Sequence, residues 1–246
     1  DFCNATSVDA ATKIVTGNKN LLVYVAEGMS IANEDNAIIG DKCANLVLTD
    51  GYAFCAPKEF TATKASYTRA ATNGLGTLCL PFAAKSVVGS LYELTSAESN
   101  KLTFTPVEEA KANTPYLYRS ESSVIEETNA TVEADAECEI VMGDWTMTGT
   151  YSVNVFGSED NVFALYDGKL YKNTGTLTVN PFRAYFTTMG SASKAEILID
   201  TPTVIQTIDN GQWTIDNFKA YNLNGVRVNA NYKGIIIVNG EKFIMK

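Results

Sequence analysis

The sequence has no histidine. That removes Ser-His-Asp and Cys-His catalysis and nearly every transition-metal site built on imidazole. Carboxylate-only chemistry survives, because glycoside hydrolysis needs two acids and Ca²⁺ needs only oxygen ligands. Cysteine is sparse and odd in number: Cys3, Cys43, Cys55, Cys79 and Cys138, with no CxxC pair. A zinc ribbon or a dithiol motif is therefore unsupported, and complete pairing within the chain is excluded. Cys43 and Cys55, 12 residues apart, are candidates for a bridge in an exported protein. The alternative is that the cysteines serve as small buried apolar residues. No GxGxxG, P-loop or EF-hand loop is present, and no metal, cofactor or catalytic residue is assigned.

Long apolar runs are also missing. The longest, around Gly76–Ala84 and Gly234–Val238, are of strand length and far short of the ~18–20 residues a membrane helix needs. No transmembrane span is expected. Basic residues are few: Lys and Arg total 19 against 28 Asp and Glu, for a net charge of −9. They form no run, so a polyanion meets repulsion over most of the surface and nucleic acid is not an expected partner. The opening Asp1-Phe2-Cys3 carries no basic leader region. The expectation is an exported chain whose leader has been removed, or a piece of a longer protein.

Turn signals are abundant. Asp50-Gly51, Asn73-Gly74, Asp167-Gly168, Asn210-Gly211, Asn224-Gly225 and Asn239-Gly240 are all Asx-Gly steps. Such steps supply the positive φ that tight hairpin turns require. Apolar residues flank those at 167–168, 224–225 and 239–240 on both sides, which predicts three β-hairpins. Between the turns, apolar and polar residues alternate with period two, as in Leu102–Pro106, Tyr151–Val155 and Thr176–Val179. Helical periodicity is weak throughout. The prediction is an all-β chain: a central antiparallel β-sandwich of jelly-roll or Greek-key type, and a small hairpin-rich C-terminal domain. The expected divisions are 1–55 as an N-terminal β segment or cap, 56–201 as the sandwich and 202–246 as the terminal domain.

Two features stand out as candidate binding elements. Residues Val132–Ile140 alternate perfectly, so a strand there lines Glu133, Asp135, Glu137 and Glu139 along one face. That stripe reads as a site for a cation or basic partner, or simply as a solvated outer face. Trp145 alternates with polar neighbours and reads either as a ring for stacking on sugars or as a core residue. Glu121, Glu126, Glu127, Glu139 and Asp144 are candidates for a glycosidase acid pair, which requires two carboxyls about 5 to 10 Å apart.

The tail Asn217-Phe218-Lys219-Ala220-Tyr221-Asn222-Leu223-Asn224-Gly225-Val226-Arg227-Val228, continued by Lys233-Gly234-Ile235-Ile236-Ile237-Val238-Asn239-Gly240-Glu241-Lys242-Phe243, resembles the C-terminal sorting-type β domain of secreted Bacteroidetes proteins. Ile236 stands where that family often has Tyr. The segments Asp50–Ala62, Ser66–Arg69, Gly76–Phe82, Thr114–Arg119 and Phe182–Phe186 resemble modules near the C-termini of large surface proteins of gut Bacteroidetes, often found after repeats. The resemblance implies export, display at the outer-membrane surface or beyond it, and fusion to upstream repeats. It supplies no catalytic residue. The expected function is a non-catalytic binding or adhesion module for a host protein or glycan. The alternatives are a structural spacer and a carbohydrate-binding accessory domain or carboxylate-based hydrolase.

Overall fold

The computed structural model describes residues 9–71, 74–134, 136–200, 206–208, 220–228, 232–238 and 241–245. The chain divides into two units, Asp1–Asp200 and Thr201–Lys246. Every regular element among the described residues is a strand, so the all-β class holds.

The first unit contains a five-stranded sheet in the order β1 (Val23–Val25), β2 (Ala37–Ile39), β3 (Lys42–Thr49), β4 (Phe60–Thr68), β9 (Val124–Val132). A ten-stranded sheet runs β10 (Glu139–Met142), β11 (Trp145–Thr150), β16 (Arg183–Thr188), β13 (Val162–Tyr166), β14 (Lys169–Lys172), β17 (Lys194–Ile199), β7 (Lys101–Val107), β6 (Gly89–Glu98), β8 (Pro115–Ser120), β5 (Gly76–Cys79). A short ribbon pairs β12 (Asn154–Phe156) with β15 (Leu177–Val179).

The long sheet curls on itself. On β16, Ala184 N–H donates to Thr77 Oγ1 at 2.9 Å, and Thr77 Oγ1 donates to the Ala184 carbonyl at 3.1 Å. Cys79 N–H donates to the Phe182 carbonyl at 3.2 Å. The edge strand β5 is thereby folded back onto β16, the third strand from the opposite edge of its own sheet. One core, with Leu94, Phe104, Leu117, Trp145, Phe163 and Phe186, fills the inside of the curl. A second core joins the five-stranded sheet to the outside of β5, β6 and β8 through Leu46, Phe60, Tyr67, Leu78, Tyr116 and Phe182. β8 lies between the two cores: Tyr116 and Tyr118 enter one and Leu117 the other. A strand covered on both faces needs consecutive apolar residues, which is what Tyr116-Leu117-Tyr118 supplies.

Pairing departs from the antiparallel expectation. β1–β2, β3–β4 and β7–β17 are parallel. Parallel neighbours need a crossover rather than a tight turn, and the connection from β3 to β4 runs through residues 50–59. No unit boundary falls at 55/56, because β3 and β4 are adjacent in one sheet and share one core. The hairpin at Asp167-Gly168 forms, with φ of 47° and 70° at its two turn residues.

Two buried asparagines complete the five-stranded sheet. Beyond the short β2, no strand among the described residues lies beside the edge of β3. Asn36 accepts from Val47 N–H at 2.7 Å and donates to the Val47 and Lys19 carbonyls. Asn20 accepts from Thr49 N–H at 2.7 Å and donates to the Thr49 and Tyr52 carbonyls. Side-chain amides thus do what a strand backbone would do, and buried polar groups stay satisfied.

The second unit orders its strands β18 (Gln206–Ile208), β21 (Glu241–Met245), β20 (Gly234–Val238), β19 (Ala220–Asn222). The hairpin at Asn224-Gly225 forms, with Asn222 N–H donating to the Val226 carbonyl at 2.8 Å. β20 and β21 pair antiparallel, while the turn residues Asn239 and Gly240 lie outside the described residues. Ala220, Ile236 and Phe243 make its small core.

Candidate functional site

A groove of about 510 Å³ lies on the face of the five-stranded sheet turned away from its core. Three strands build it in register. Asn45, Lys64 and Thr128 form one row across β3, β4 and β9. Val47, Ser66 and Glu126 form the next. Just before the first row, the ladder skips Ala44 on β3, Thr63 on β4 and Asn129 on β9. Buried positions accordingly step from Cys43 to Leu46 and from Ala62 to Ala65, three residues instead of two. An irregularity of this kind re-aims side chains and increases local twist. Asn129 takes it up with a φ of 53°.

Asp35, Lys85 and Glu127 also line the groove. Glu127 Oε2 accepts from Lys85 N–H at 2.7 Å and its Oε1 from Thr128 N–H at 2.9 Å. Those two N–H groups hold its carboxyl below the usual carboxylate range. Lys64 and Lys85 stand against Asp35, Glu126 and Glu127, so the groove offers charges of both signs plus amide and hydroxyl groups. No aromatic ring lines it. It is shaped for hydrogen bonding and ion pairing, not for stacking.

A second site is a cluster of charged side chains between the sheets. Asp50 Oδ2 accepts from Arg183 Nη2 at 2.6 Å, and Asp50 Oδ1 accepts from Tyr67 OH at 2.8 Å. Arg183 Nη1 also donates to the Tyr67 oxygen at 3.1 Å. Burial alone would lift the Asp50 carboxyl, but the hydrogen bond and charge of Arg183, aided by Tyr67 and Arg69, hold it below its ordinary value. Arg69 Nη1 donates to the Thr77 carbonyl at 2.8 Å, and its Nε has no partner among the described residues. Burial, then repulsion from Arg183, lowers the Arg69 pKa. Both arginines border a cavity of about 240 Å³ beside β13, β15 and β16.

The residues singled out from the sequence lie elsewhere. Val132–Ile140 is not a strand: β9 ends at Val132 and β10 starts at Glu139, because the chain crosses here from one sheet to the other. Glu133 and Glu137 are exposed in that crossover, Glu139 is exposed at the start of β10, and Asp135 lies outside the described residues. Glu133 accepts from Asn113 and Glu139 accepts from Thr148. Trp145 is 1% exposed, stacks edge-on against Phe163 and donates Nε1–H to the Ser99 carbonyl at 2.7 Å. It is a core residue. Of the five acids considered for hydrolysis, Glu126 and Glu127 share the groove, whereas Glu121 and Asp144 are exposed outside it. Glu127, lowered rather than raised, is suited to accept hydrogen bonds and not to act as a general acid. Cys43 is buried, with burial pushing its thiol up to about 11, while Cys55 is exposed. Among the described residues no group of three acids or cysteines is arranged to hold a metal.

Apart from Glu126 and Glu127, the groove residues gave no signal in the sequence, since Asn45, Lys64 and Thr128 meet only through strand register. These features define an all-β protein of mixed sheets with a polar groove on one outer face. Comparison with family models, curated proteins and solved structures finds nothing that matches the chain.

Proposed function

We propose that the chain is a non-catalytic binding module of a cell-surface or secreted protein, with the groove on β3, β4 and β9 as its ligand site. One observation carries this reading: two registered rows of outward side chains on three adjacent strands, bounded by Lys85 and Asp35. A rigid sheet holds such groups in fixed geometry at little entropic cost, which is what specific polar recognition needs. The mixed charges and missing aromatic rings favour a partner rich in hydrogen-bonding groups, either an extended protein segment or a polar glycan. The lowered Glu127 carboxyl is ill suited to protonate a leaving group, which argues against hydrolysis through that residue. The resemblance of the tail to sorting domains supports display at or beyond the outer membrane, with the second unit serving export or anchoring.

The test is an array of glycans and extracellular proteins probed with the full chain and with Lys64→Glu. Binding that falls at least tenfold in the variant, with unchanged thermal stability, supports the reading. Silence of the wild-type protein across the array refutes it and leaves the spacer role.

A further inference from the structure

Cys79 and Cys138 are distant in sequence, yet their side chains meet over Gly149, where Cys138 Sγ donates to the Ala136 carbonyl at 3.6 Å. Cys79 ends β5 and Cys138 immediately precedes β10, and these strands are the two edges of the ten-stranded sheet. Gly149 on β11 makes the meeting possible. Its N–H donates to the Cys138 carbonyl at 2.7 Å. A Cβ at this position would lie 2.5 Å from Cys79 Sγ, 2.8 Å from Cys79 Cβ and 3.1 Å from Cys138 Cβ. The Cys79 side chain and the Cys138 Cβ therefore crowd one spot that only a glycine leaves open. The Tyr151 hydroxyl stands beside them, 3.6 Å from Cys79 Sγ, and donates to Asn113 Oδ1 at 2.7 Å.

The two thiols are not equivalent. Cys138 lines a cavity of about 280 Å³, with Cys55 and Tyr151 also on its wall, whereas Cys79 does not line it and is 0% exposed. The neighbouring Cys79 thiol favours the Cys138 thiolate and holds its pKa below the ordinary value. The neighbouring Cys138, together with burial, pushes Cys79 up. The thiol nearer solvent is thus also the one that ionises first, which suits it to attack.

We propose that Cys79 and Cys138 are a redox pair that closes to a disulfide by exchange with a small-molecule disulfide. The Cys138 thiolate attacks one sulfur of the external disulfide, whose S–S bond breaks and releases one thiolate. Cys79 then gives its proton to that thiolate or to solvent and attacks Cys138 Sγ. The mixed disulfide breaks and the second external thiolate leaves, to be protonated in turn. Two protein thiols are oxidised and one external disulfide is reduced to two thiols, so electrons and protons balance. The bridge links the two edges of the curled sheet, where neither edge strand has a ladder partner beyond it among the described residues.

The test uses the full chain, reduced and then equilibrated with oxidised glutathione. Acid quenching, alkylation under denaturing conditions and peptide mass mapping follow. Two of the five thiols are expected to disappear, in linked peptides carrying Cys79 and Cys138. The unfolding midpoint of the oxidised form should rise by roughly 5–10 °C, because the bridge restricts the unfolded chain. Cys79→Ser should stop at a glutathione adduct on Cys138, and Cys55→Ser should leave the bridge intact. A bridge that uses Cys43 or Cys55 overturns the assignment, and so does Cys138 that stays alkylatable. The wild-type map decides the matter even if a variant fails to fold.

Discussion

Asp50→Asn isolates what the charge between the sheets contributes. The substitution keeps the shape and keeps an oxygen to accept from Tyr67 OH, but it removes the negative charge from Arg183. Arg183 is then left with Tyr67 and the Pro181 carbonyl as acceptors. Unpairing a fully buried charge costs about 3–5 kcal/mol, whereas an exposed pair contributes about 0–1. The two side chains are 19% and 27% exposed, so solvent screens part of the interaction. The reasoned cost is about 2 kcal/mol, or a fall in Tm of roughly 4–8 °C for a unit of this size. The pH dependence has a definite sign. The folded carboxyl lies below its unfolded value of about 3.8–3.9, so its contribution is fully present above that value. It fades as pH falls through the lower folded value. Stability curves of wild type and Asp50→Asn, measured by urea unfolding between pH 7 and pH 2, should differ at neutral pH and converge at the acid end. A double-mutant cycle with Arg183→Met should give a coupling above about 1 kcal/mol. A constant gap at every pH, or additive single effects, would refute the account.

Gly89→Ala should destabilise by about 3 kcal/mol or more in chemical unfolding, since φ is 120° and an added Cβ would collide with the Arg119 carbonyl. A loss below about 1 kcal/mol would contradict that geometry. Asn36→Ala removes two hydrogen bonds to Val47 on β3 and one to Lys19, and puts alanine at a φ of 57°, which should cost about 3 kcal/mol. Asn36→Gly should recover only the backbone part, about 1 kcal/mol, and full recovery would mean the amide bonds contribute nothing. Trp145→Phe strands the Ser99 carbonyl and leaves a void beside Phe163, which should lower stability by about 2 kcal/mol without changing ligand binding. A binding defect in that variant at full folding would place Trp145 back among candidate ligand residues.

The local signals in the sequence carried much of the architecture, and each failure has a physical cause. Asp167-Gly168 demands positive φ twice in a row, and it forms the tight turn between β13 and β14. Asp50-Gly51 gives the same signal, but Asp50 turns its carboxylate onto Arg183, 133 residues away, and the strands on either side pair in parallel. Alternation marked Trp145 as one face of a strand, and it is buried. Which face meets the core depends on what packs against it, and no alternation pattern contains that. Val132–Ile140 alternates just as well and is a crossover, because the sheet on each side of it is chosen by distant strands. The meetings of Asn45 with Lys64 and of Cys79 with Cys138 are likewise facts of register and curl.

Strand β4 explains why the groove can be tested without disturbing the fold. Its odd and even positions serve different masters on either side of the skipped Thr63. Phe60, Ala62, Ala65 and Tyr67 face the core, and Tyr67 continues into the Asp50–Arg183 cluster. Lys64 and Ser66 face the groove, where Lys64 is exposed. A change at Tyr67 therefore strikes stability and the cluster together. A change at Lys64 alters a solvated charge and should move stability by no more than about 0.5 kcal/mol. The two rows of the groove are thus separable from the core by a single strand's pleat. A Lys64→Glu variant that unfolded would contradict this division, and one that folds normally makes any loss of binding attributable to the groove itself.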